Sequence, residues 1–271
     1  MTARSRSVAR AAPSLAPRAP WAWAFAGIAI GLLLACLLFA PARWLAGPLE
    51  RASSGRLLLA DARGTVWRGS AQLTLSGGAG STDSAALPTR VDWKLRPRWD
   101  GLLAQVESAC CTTAPVELRV LPRWGGAHVR VANAETEWPA ALLAGLGTPW
   151  NTLQFDGQLR LATEGLSVEW VQGRLSIAGR AELTAQRLSS RLSTLRPMGS
   201  YRITVLGGAT PTLQLATLEG SLQLDGTGQW VGSRLRFAGT ASAAPESEGA
   251  LSNLLNIIGR RTGPRSIITI G

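Results

Sequence analysis

Two features of the sequence could serve chemistry: a single histidine, His128, and the Gly226-Thr227-Gly228 segment, which resembles part of a nucleotide-binding loop. His128 lies in the alternating stretch 127–130, which predicts the polar face of a strand rather than a catalytic base. Gly226-Thr227-Gly228 lacks the third glycine of a nucleotide-binding loop and falls inside a predicted strand. No serine-nucleophile elbow, His-Glu-x-x-His motif or phosphate loop occurs in the sequence. The sequence therefore predicts neither an enzyme nor a cofactor-binding protein.

Two of the three cysteines, Cys110 and Cys111, are adjacent. Neighbouring side chains of a strand point to opposite faces, so a bond between these two sulfurs requires a strained turn. A vicinal disulfide and two separate thiols are both open at this point. Cys36 lies in an apolar run and is predicted to be a small apolar filler. Because there is no second cysteine pair to complete a ligand set, the cysteines predict no metal site.

Residues 21–40 form an apolar run without a charge, an amide or a hydroxyl. A helix of this length is roughly 30 Å long, which matches the hydrocarbon core of a bilayer. The preceding segment contains arginines and no carboxylate, so the positive-inside rule places the N-terminus in the cytoplasm. A cleaved signal peptide has a shorter apolar core and small residues at the cut, and it fits less well. We predict a cytoplasmic tail over 1–20, a single-pass inner-membrane helix over 21–40, a juxtamembrane linker over 41–56 and a periplasmic β domain over 57–271.

The net charge of +11 does not indicate a nucleic-acid-binding protein. The basic residues are scattered among 17 carboxylates, without a run of five or six. A domain on the export side of a membrane also meets no nucleic acid. Strand faces that carry single arginines instead suit acidic partners or lipid headgroups.

Beyond residue 57 the sequence alternates with period two, which predicts strands of a half-buried antiparallel sheet. In residues 218–230 the apolar or small side chains occupy the even positions, so we predict one long strand there. Residues 234–243 repeat the pattern, and 231–233 is the predicted hairpin turn between them. A weaker copy covers 174–185, and further strands are predicted at 91–96, 116–120, 155–162, 201–205 and 213–217.

Two short helices are predicted to interrupt the strands. The first covers 138–146 and ends at Gly147. The second, near the C-terminus, ends at Gly259, and its apolar face consists of Leu251, Leu254, Leu255 and Ile258.

Secondary structure is also predicted for the segments that flank the sheet. Residues 42–52 are predicted to form a surface helix interrupted at Gly47-Pro48. A turn at 260–263 leads to a final strand at 266–270. The predicted fold class is therefore mainly β, with an N-terminal transmembrane helix followed by a curved or rolled antiparallel β-sheet domain with two short helices. A two-sheet sandwich is the nearest alternative.

Several patches of the sequence occur in the order typical of one known family. Residues 57–71 contain a Gly-Thr-x-Trp-x-Gly-x-Ala motif, and further patches lie at 91–99, 199–202, 218–230 and 250–261. Together they resemble the protein N family of the bacterial type II secretion system. The positions that carry the resemblance are Gly64, Thr65, Trp67, Gly69, Trp93, Pro97, Trp99, Tyr201, Gly220, Gly226, Gly228 and Trp230.

These motif residues are expected to be structural. The Gly64–Gly69 stretch suits a tight turn, and the tryptophans at 67, 93, 99 and 230 are expected to fill the core. A tryptophan that proves exposed would instead be a candidate for an interface. The resemblance brings no catalytic residues.

The resemblance implies an inner-membrane-anchored accessory or structural component of the type II secretion system, which supports export of folded proteins across the outer membrane. Its expected partners are inner-membrane and periplasmic components of that system and inner-membrane lipid, with no cofactor. The alternative is a periplasmic lipid-transfer or lipid-binding protein, whose β groove would hold an acyl chain against an open apolar face.

Overall fold

The computed structural model describes residues 21–232 and 234–271. The chain divides into two compact units, Met1–Phe39 and Ala40–Gly271. The predicted basic tail over 1–20 lies outside the described residues, as does Ser233 of the predicted turn 231–233.

In the first unit the apolar run forms one helix, α1 (Trp21–Leu38), and none of its residues is buried. This helix is long and apolar enough to cross a membrane. It ends before the predicted boundary at residue 40, because Ala40 belongs to the second unit, where its carbonyl accepts a hydrogen bond from the Val66 N–H (2.8 Å).

The second unit is built on one antiparallel sheet, which is not closed, and 56% of the protein is strand. The mainly β prediction is confirmed, and a single sheet replaces the two-sheet sandwich of the alternative. The first eight strands are β1 (Leu57–Gly64), β2 (Arg68–Ser76), β3 (Ser84–Ala86), β4 (Val91–Arg98), β5 (Gly101–Ser108), β6 (Val116–Arg123), β7 (Gly126–Val131) and β8 (Ala134–Pro139). The other eight are β9 (Phe155–Val171), β10 (Arg174–Ser190), β11 (Gly199–Leu206), β12 (Thr212–Gly220), β13 (Leu222–Val231), β14 (Arg234–Ala243), β15 (Arg260–Thr262) and β16 (Arg265–Ile270).

Most neighbours in the sheet are also neighbours in sequence, because short turns join the strands into a long meander. The order is β1-β2-β4-β5-β6-β7-β9-β10-β11-β12-β13-β14-β16-β15, with β3 added beside β2 and β8 beside β9. In β13 and β14 the predicted apolar positions are buried or half-buried, and the polar ones that alternate with them are mostly exposed. This confirms the alternation that predicted these two strands.

The prediction of a single strand over 218–230 is wrong. The chain bends at Ser221, and the pattern is divided between the end of β12 and the whole of β13. Gly220 has a φ of +116°, a left-handed conformation that glycine adopts without a steric penalty. Leu218, predicted to face inward, is therefore exposed at the strand end.

The predicted helices are present with shifted bounds. Residues 42–52 form a 3-10 turn (Ala42–Leu45) followed by α2 (Ala46–Ala52), so the predicted break at Gly47-Pro48 is wrong. Proline is tolerated there because the first helical N–H groups need no intrahelical partner. Trp138 and Pro139 end β8, and the predicted first helix is a 3-10 helix over Ala140–Leu146. Arg260–Thr262 forms a strand instead of the predicted turn.

The predicted C-terminal helix is confirmed as α4 (Glu248–Ile258), which ends at Gly259. Leu251, Leu254 and Leu255 are fully buried against the sheet, and Ile258 packs at the edge of the same cluster. A short helix, α3 (Trp150–Leu153), adds Leu153 to this core. A second, smaller core cluster forms around Leu87, Val91, Cys111 and Leu142.

Because consecutive antiparallel strands reverse direction, their connections alternate between two ends of the sheet. One end, here called the hairpin end, carries the turns at 65–67, 99–100, 124–125, 172–173, 207–211 and 232. The opposite end, here called the helix end, carries the longer connections at 77–90, 109–115, 140–154, 191–198 and 244–259, which include the 3-10 helix, α3 and α4.

Candidate functional site

The Gly64–Gly69 motif forms the turn between β1 and β2. The Thr65 N–H donates to the Arg68 carbonyl (2.8 Å), and the Thr65 hydroxyl accepts from the Arg68 N–H (3.1 Å). Gly64 has a φ of +84°, and a Cβ at this position would lie 2.5 Å from the Arg68 carbonyl oxygen. The turn therefore requires glycine at position 64 for both its conformation and its lack of a side chain.

Trp93 of β4 packs beneath this turn and is buried. Its indole N–H donates to the Val66 carbonyl (3.0 Å). A Cβ on Gly69 would lie 2.6 Å from Cζ2 of Trp93, so glycine at position 69 makes room for the ring. The motif and Trp93 are thus one packing unit.

The same turn holds the first residues of the second unit. Val66 hydrogen-bonds to Ala40, as noted above, and Pro41 forms an isolated bridge with Thr65. Ala42 is buried in one cluster with Ala71 and Trp93. We call this region the anchor joint, defined as residues 40–42, 64–69, 71 and 93. It fixes the start of the domain to the sheet immediately after α1.

A group of charges lies beside the anchor joint on β1. Asp61 has a φ of +48° at an irregularity of the strand and pairs with Arg63 (2.7 Å) and Arg90 (2.8 Å). Hydrogen bonds from these two guanidinium groups, that from Arg63 first, lower the pKa of the Asp61 carboxyl. The Asp61 carboxylate thus contacts one cation of its own strand and one of the connection before β4, so the arrangement is a surface ion-pair network.

The motif residues of the second half also pack against one another. The Tyr201 hydroxyl donates to the Leu222 carbonyl (3.1 Å), and burial raises the pKa of this phenol. A Cβ on Gly199 would lie 2.8 Å from the Tyr201 oxygen, and Gly220 pairs directly with Gly199. This cluster lies at the helix end of the sheet.

The glycines of β13 leave room for one aromatic ring. Gly226 pairs with Gly239, and the buried Phe237 ring lies over both. A Cβ on Gly228 would come within 2.9 Å of the Arg236 carbonyl. Trp230 is half-buried opposite Leu235. These positions pack the sheet and present no reactive group.

Trp99 departs from the expected core role. Trp99 is fully exposed at the tip of the β4–β5 hairpin, and Pro97 is exposed on β4. Since β4 ends at Arg98, Trp99 lies beyond the last paired residue and has no neighbouring strand to pack against. The core prediction for Trp99 is therefore wrong, whereas Trp93 is buried and Trp67 is half-buried.

The structure joins Cys110 and Cys111 by a vicinal disulfide at the helix end. Cys111 is buried, and its carbonyl accepts from the Glu137 N–H (2.8 Å). Cys110 is exposed, and its N–H donates to the Thr89 hydroxyl (3.2 Å). The turn thus links the β5–β6 connection to β8 and to the segment before β4.

His128 is less exposed than a solvated strand face implies. Its Nδ1 atom is 4.0 Å from the Glu169 carboxylate on the paired strand, and its Nε2 atom is buried without a partner among the described residues. No group of three metal-ligating side chains occurs within residues 21–232 and 234–271.

The apolar face of the sheet is covered at the helix end by α4 and by the segment that contains α3. A cavity of about 240 Å³ remains farther along the face, with an almost entirely apolar lining that includes Val106, Leu118, Val131, Trp138 and Leu161. The lipid-transfer alternative requires a face that is open along its length. The covered helix end does not meet that requirement.

One edge of the sheet is only partly paired. β15 pairs with Arg265, Ser266 and Ile267 of β16, whereas residues 268–270 pair with β14 alone. Ile270 at this edge is exposed. Such an edge can accept a strand from another protein.

A comparison with family models matches residues 55–268 to the family described as type II secretion system (T2SS), protein N. The match covers the whole sheet apart from the end of β16 and begins after α2. No curated protein and no solved structure matches the chain. The match supports the hypothesis of a component of the type II secretion system and gives no support to the lipid-transfer alternative.

Proposed function

This chain belongs to the type II secretion system protein N family, and from that premise we propose that it is an inner-membrane-anchored accessory component that supports export of folded proteins across the outer membrane. The observation that carries the proposal is the family match over residues 55–268, together with an apolar helix of membrane-spanning length that precedes it in the chain. We propose no catalytic role and no cofactor.

The anchor joint supports a tethering role. It fastens Ala40, Pro41 and Ala42 to the sheet by a backbone hydrogen bond, a bridge and a buried contact. A domain held in this way stays at the membrane surface instead of moving on a long linker. In the proposed topology the N-terminus is cytoplasmic and the sheet is periplasmic.

The proposed partners are other components of the secretion system. Inner-membrane components would contact α1, because its apolar surface is free to pack against other membrane helices. Periplasmic components would add a strand along residues 268–270 of β16, where the sheet edge is unpaired on one side.

The test is complementation of a deletion strain with two forms of the protein. The first form is the full chain. In the second form a cleavable signal peptide replaces residues 1–39, so that the same domain is released into the periplasm. We expect the full chain to restore export of folded proteins and the released domain to restore much less. Unchanged export after deletion would refute the role, and equal complementation by both forms would refute the need for tethering.

The topology is tested separately with reporter fusions to the full chain. Alkaline phosphatase, which is active only in the periplasm, is expected to be active when fused after Gly271. Green fluorescent protein at the same position is expected to be dark after export through the general secretion pathway. The reverse pair of results would place the sheet in the cytoplasm.

A further inference from the structure

Two neighbouring hairpins of the sheet end in the same short motif. Pro97-Arg98-Trp99-Asp100-Gly101 forms the tip between β4 and β5, and Pro122-Arg123-Trp124-Gly125-Gly126 forms the tip between β6 and β7. Both tips are two-residue turns that place the tryptophan beyond the last strand pair. We call residues 98–99 and 123–124 together the tip surface.

Both tryptophans of the tip surface are essentially fully exposed. A large indole ring is rarely left in water without a role, because its burial is among the most favourable of any side chain. Neither ring packs on the sheet, so neither stabilises the fold in a way that explains a bulky aromatic at a turn. The rings are available to a partner.

The tip surface lies at the hairpin end, which is also the end that carries the anchor joint. Lys94 pairs with Arg68 of the joint, and β4 then continues to Arg98. At about 3.3 Å per residue, Arg98 at the base of the Trp99 tip lies roughly 13 Å farther along the strand direction than Arg68. The two tips therefore extend past the point at which the domain is fastened to its anchor.

Chain connectivity places the anchor joint at the membrane. Only Phe39 separates Leu38, the last residue of α1, from Ala40. Two peptide units span at most roughly 7 Å, so the joint stays close to the end of α1 in any arrangement of the two units. The hairpin end, which carries both the joint and the tips, is thus tethered to α1 by a very short length of chain.

The charge of this end fits a phosphate surface. Arg98 has no ion-pair partner among the described residues, and Arg123 is 3.7 Å from the Glu169 carboxylate. Besides Glu169, Asp100 places a carboxylate in the turn that carries Trp99. Arg96, Arg98 and Arg123 lie on the strands next to the two tips, and Arg174, Arg234 and Arg236 lie next to other turns of the hairpin end.

From these observations we propose that the tip surface binds the periplasmic leaflet of the membrane that α1 spans, with Trp99 and Trp124 at headgroup depth and Arg98 and Arg123 on lipid phosphates. Indole rings favour this depth, and guanidinium groups bind phosphate in a bidentate geometry. The proposal rests on the inner-membrane anchoring proposed above. It adds a second contact with the membrane, which fixes the orientation of the sheet.

A protein partner is the alternative occupant of the tip surface, and the chemistry next to α1 favours lipid. The same Arg-Trp pair occurs at Arg43-Trp44, within the 3-10 turn that follows α1, and Trp44 is also exposed. That pair is placed at the interface by its position next to the membrane helix. The two tips repeat its chemistry at the same end of the domain.

The experiment uses the full chain reconstituted into phospholipid vesicles, with the photo-crosslinking residue p-benzoylphenylalanine in place of Trp99 or, separately, Trp124. The substitution exchanges one exposed aromatic ring for another, so folding is not at risk. The matched control carries the same residue in place of Trp150, a partly exposed tryptophan of α3 at the helix end. After irradiation, lipid adducts are measured by mass spectrometry.

We expect adducts with lipid at positions 99 and 124 and none above background at position 150. Absence of adducts at 99 and 124, or equal yields at all three positions, would overturn the proposal. In cells, a predominant protein adduct at 99 and 124 would also overturn it and would identify a protein-docking surface instead.

The second arm tests the arginines. Vesicles of phosphatidylethanolamine are compared with vesicles that also contain phosphatidylglycerol, and the double variant Arg98→Glu, Arg123→Glu is compared with the unmodified background. We expect the yield at position 124 to fall by about fivefold for each reversed arginine in the vesicles with phosphatidylglycerol. An unchanged yield would remove the role assigned to the arginines. If the adducts are absent while the full chain still restores export, this inference fails and the proposed function stands.

Discussion

The two ends of the sheet differ in what covers them. At the helix end, Leu251, Leu254 and Leu255 of α4 are fully buried, and Cys111 contributes to a second buried cluster. At the hairpin end, Trp99 and Trp124 have almost no protein contact. The same strands run through both ends, so strand pairing does not explain the difference.

The difference arises from the lengths of the connections. The helix-end connections at 140–154 and 244–259 are long enough to contain helices, whose apolar faces cover the sheet. Most connections at the hairpin end are tight turns, which hold no side chains that could fold back over the apolar face. One end therefore stabilises the fold, and the other is left to contact the surroundings.

The largest expected effect is at the helix end. Leu255→Ala removes a fully buried side chain from the main core cluster and is expected to lower the free energy of unfolding by about 3 kcal/mol. Chemical denaturation of the full chain in detergent, followed by circular dichroism, measures it. Ile257→Ala, at an exposed position of the same helix, is the control and should change stability by less than about 1 kcal/mol. Equal effects of the two variants would break the contrast between the ends.

Next in size is the anchor joint, a tightly packed part of the hairpin end. Gly64→Ala is expected to lower the free energy of unfolding by about 2 kcal/mol, because the new Cβ would meet the Arg68 carbonyl and φ is +84°. Gly80→Ala is the matched control, since Gly80 has a φ of +81° with nothing within 4 Å of its Cβ position. The difference between the two variants measures the packing contribution alone, and no difference would contradict the close fit of the joint.

A smaller effect is expected at Tyr201. Tyr201→Phe removes the hydrogen bond to the buried Leu222 carbonyl and should lower stability by about 1 kcal/mol near neutral pH. Burial raises the pKa of this phenol above its ordinary value of 10.0. Above about pH 10 the unfolded chain loses a proton that the folded chain keeps, so the stability of the unmodified protein should fall there.

The pH dependence has a direct optical readout. Tyr201 is the only tyrosine of the chain, so tyrosinate absorbance reports this single group. We expect little tyrosinate until the protein unfolds, and the Tyr201→Phe variant should lack the fall in stability that Tyr201 causes. Tyrosinate formation in the folded protein at its ordinary pKa would show that the phenol is accessible to solvent.

The fold could be predicted where the pattern is local. The length of the apolar run predicts α1, and period-two alternation predicts β13 and β14. Both patterns depend only on residues that are close in sequence. The turn at Ser221 escaped prediction, because the sequence keeps its alternation across a turn at which the inward positions change. They are odd in β12, as at Leu213 and Leu215, and even in β13, as at Leu222. Gly220, with its positive φ, was the local signal for that turn.

The site was less accessible to sequence reasoning. Trp93 and Trp99 lie in one motif, yet one is buried and the other exposed, because only strand pairing decides where β4 ends. The repeated Pro-Arg-Trp motif was visible in the sequence, but its meaning depends on which end of the sheet holds both tips. That Cys110 and Cys111 are oxidised in the cell stays a prediction.

The smallest effect on stability is expected at the tip surface, and it tests the contrast most sharply. Trp99→Ala and Trp124→Ala each remove a large side chain from the hairpin end, but both rings lie outside the packed sheet. Each variant should change the free energy of unfolding by less than about 0.5 kcal/mol, against about 3 kcal/mol for Leu255→Ala. The same denaturation measurement applies, in detergent so that no bilayer contributes. A loss above about 1.5 kcal/mol would show that the rings pack on the protein in solution, and a contact surface for the surroundings would then have to be sought elsewhere.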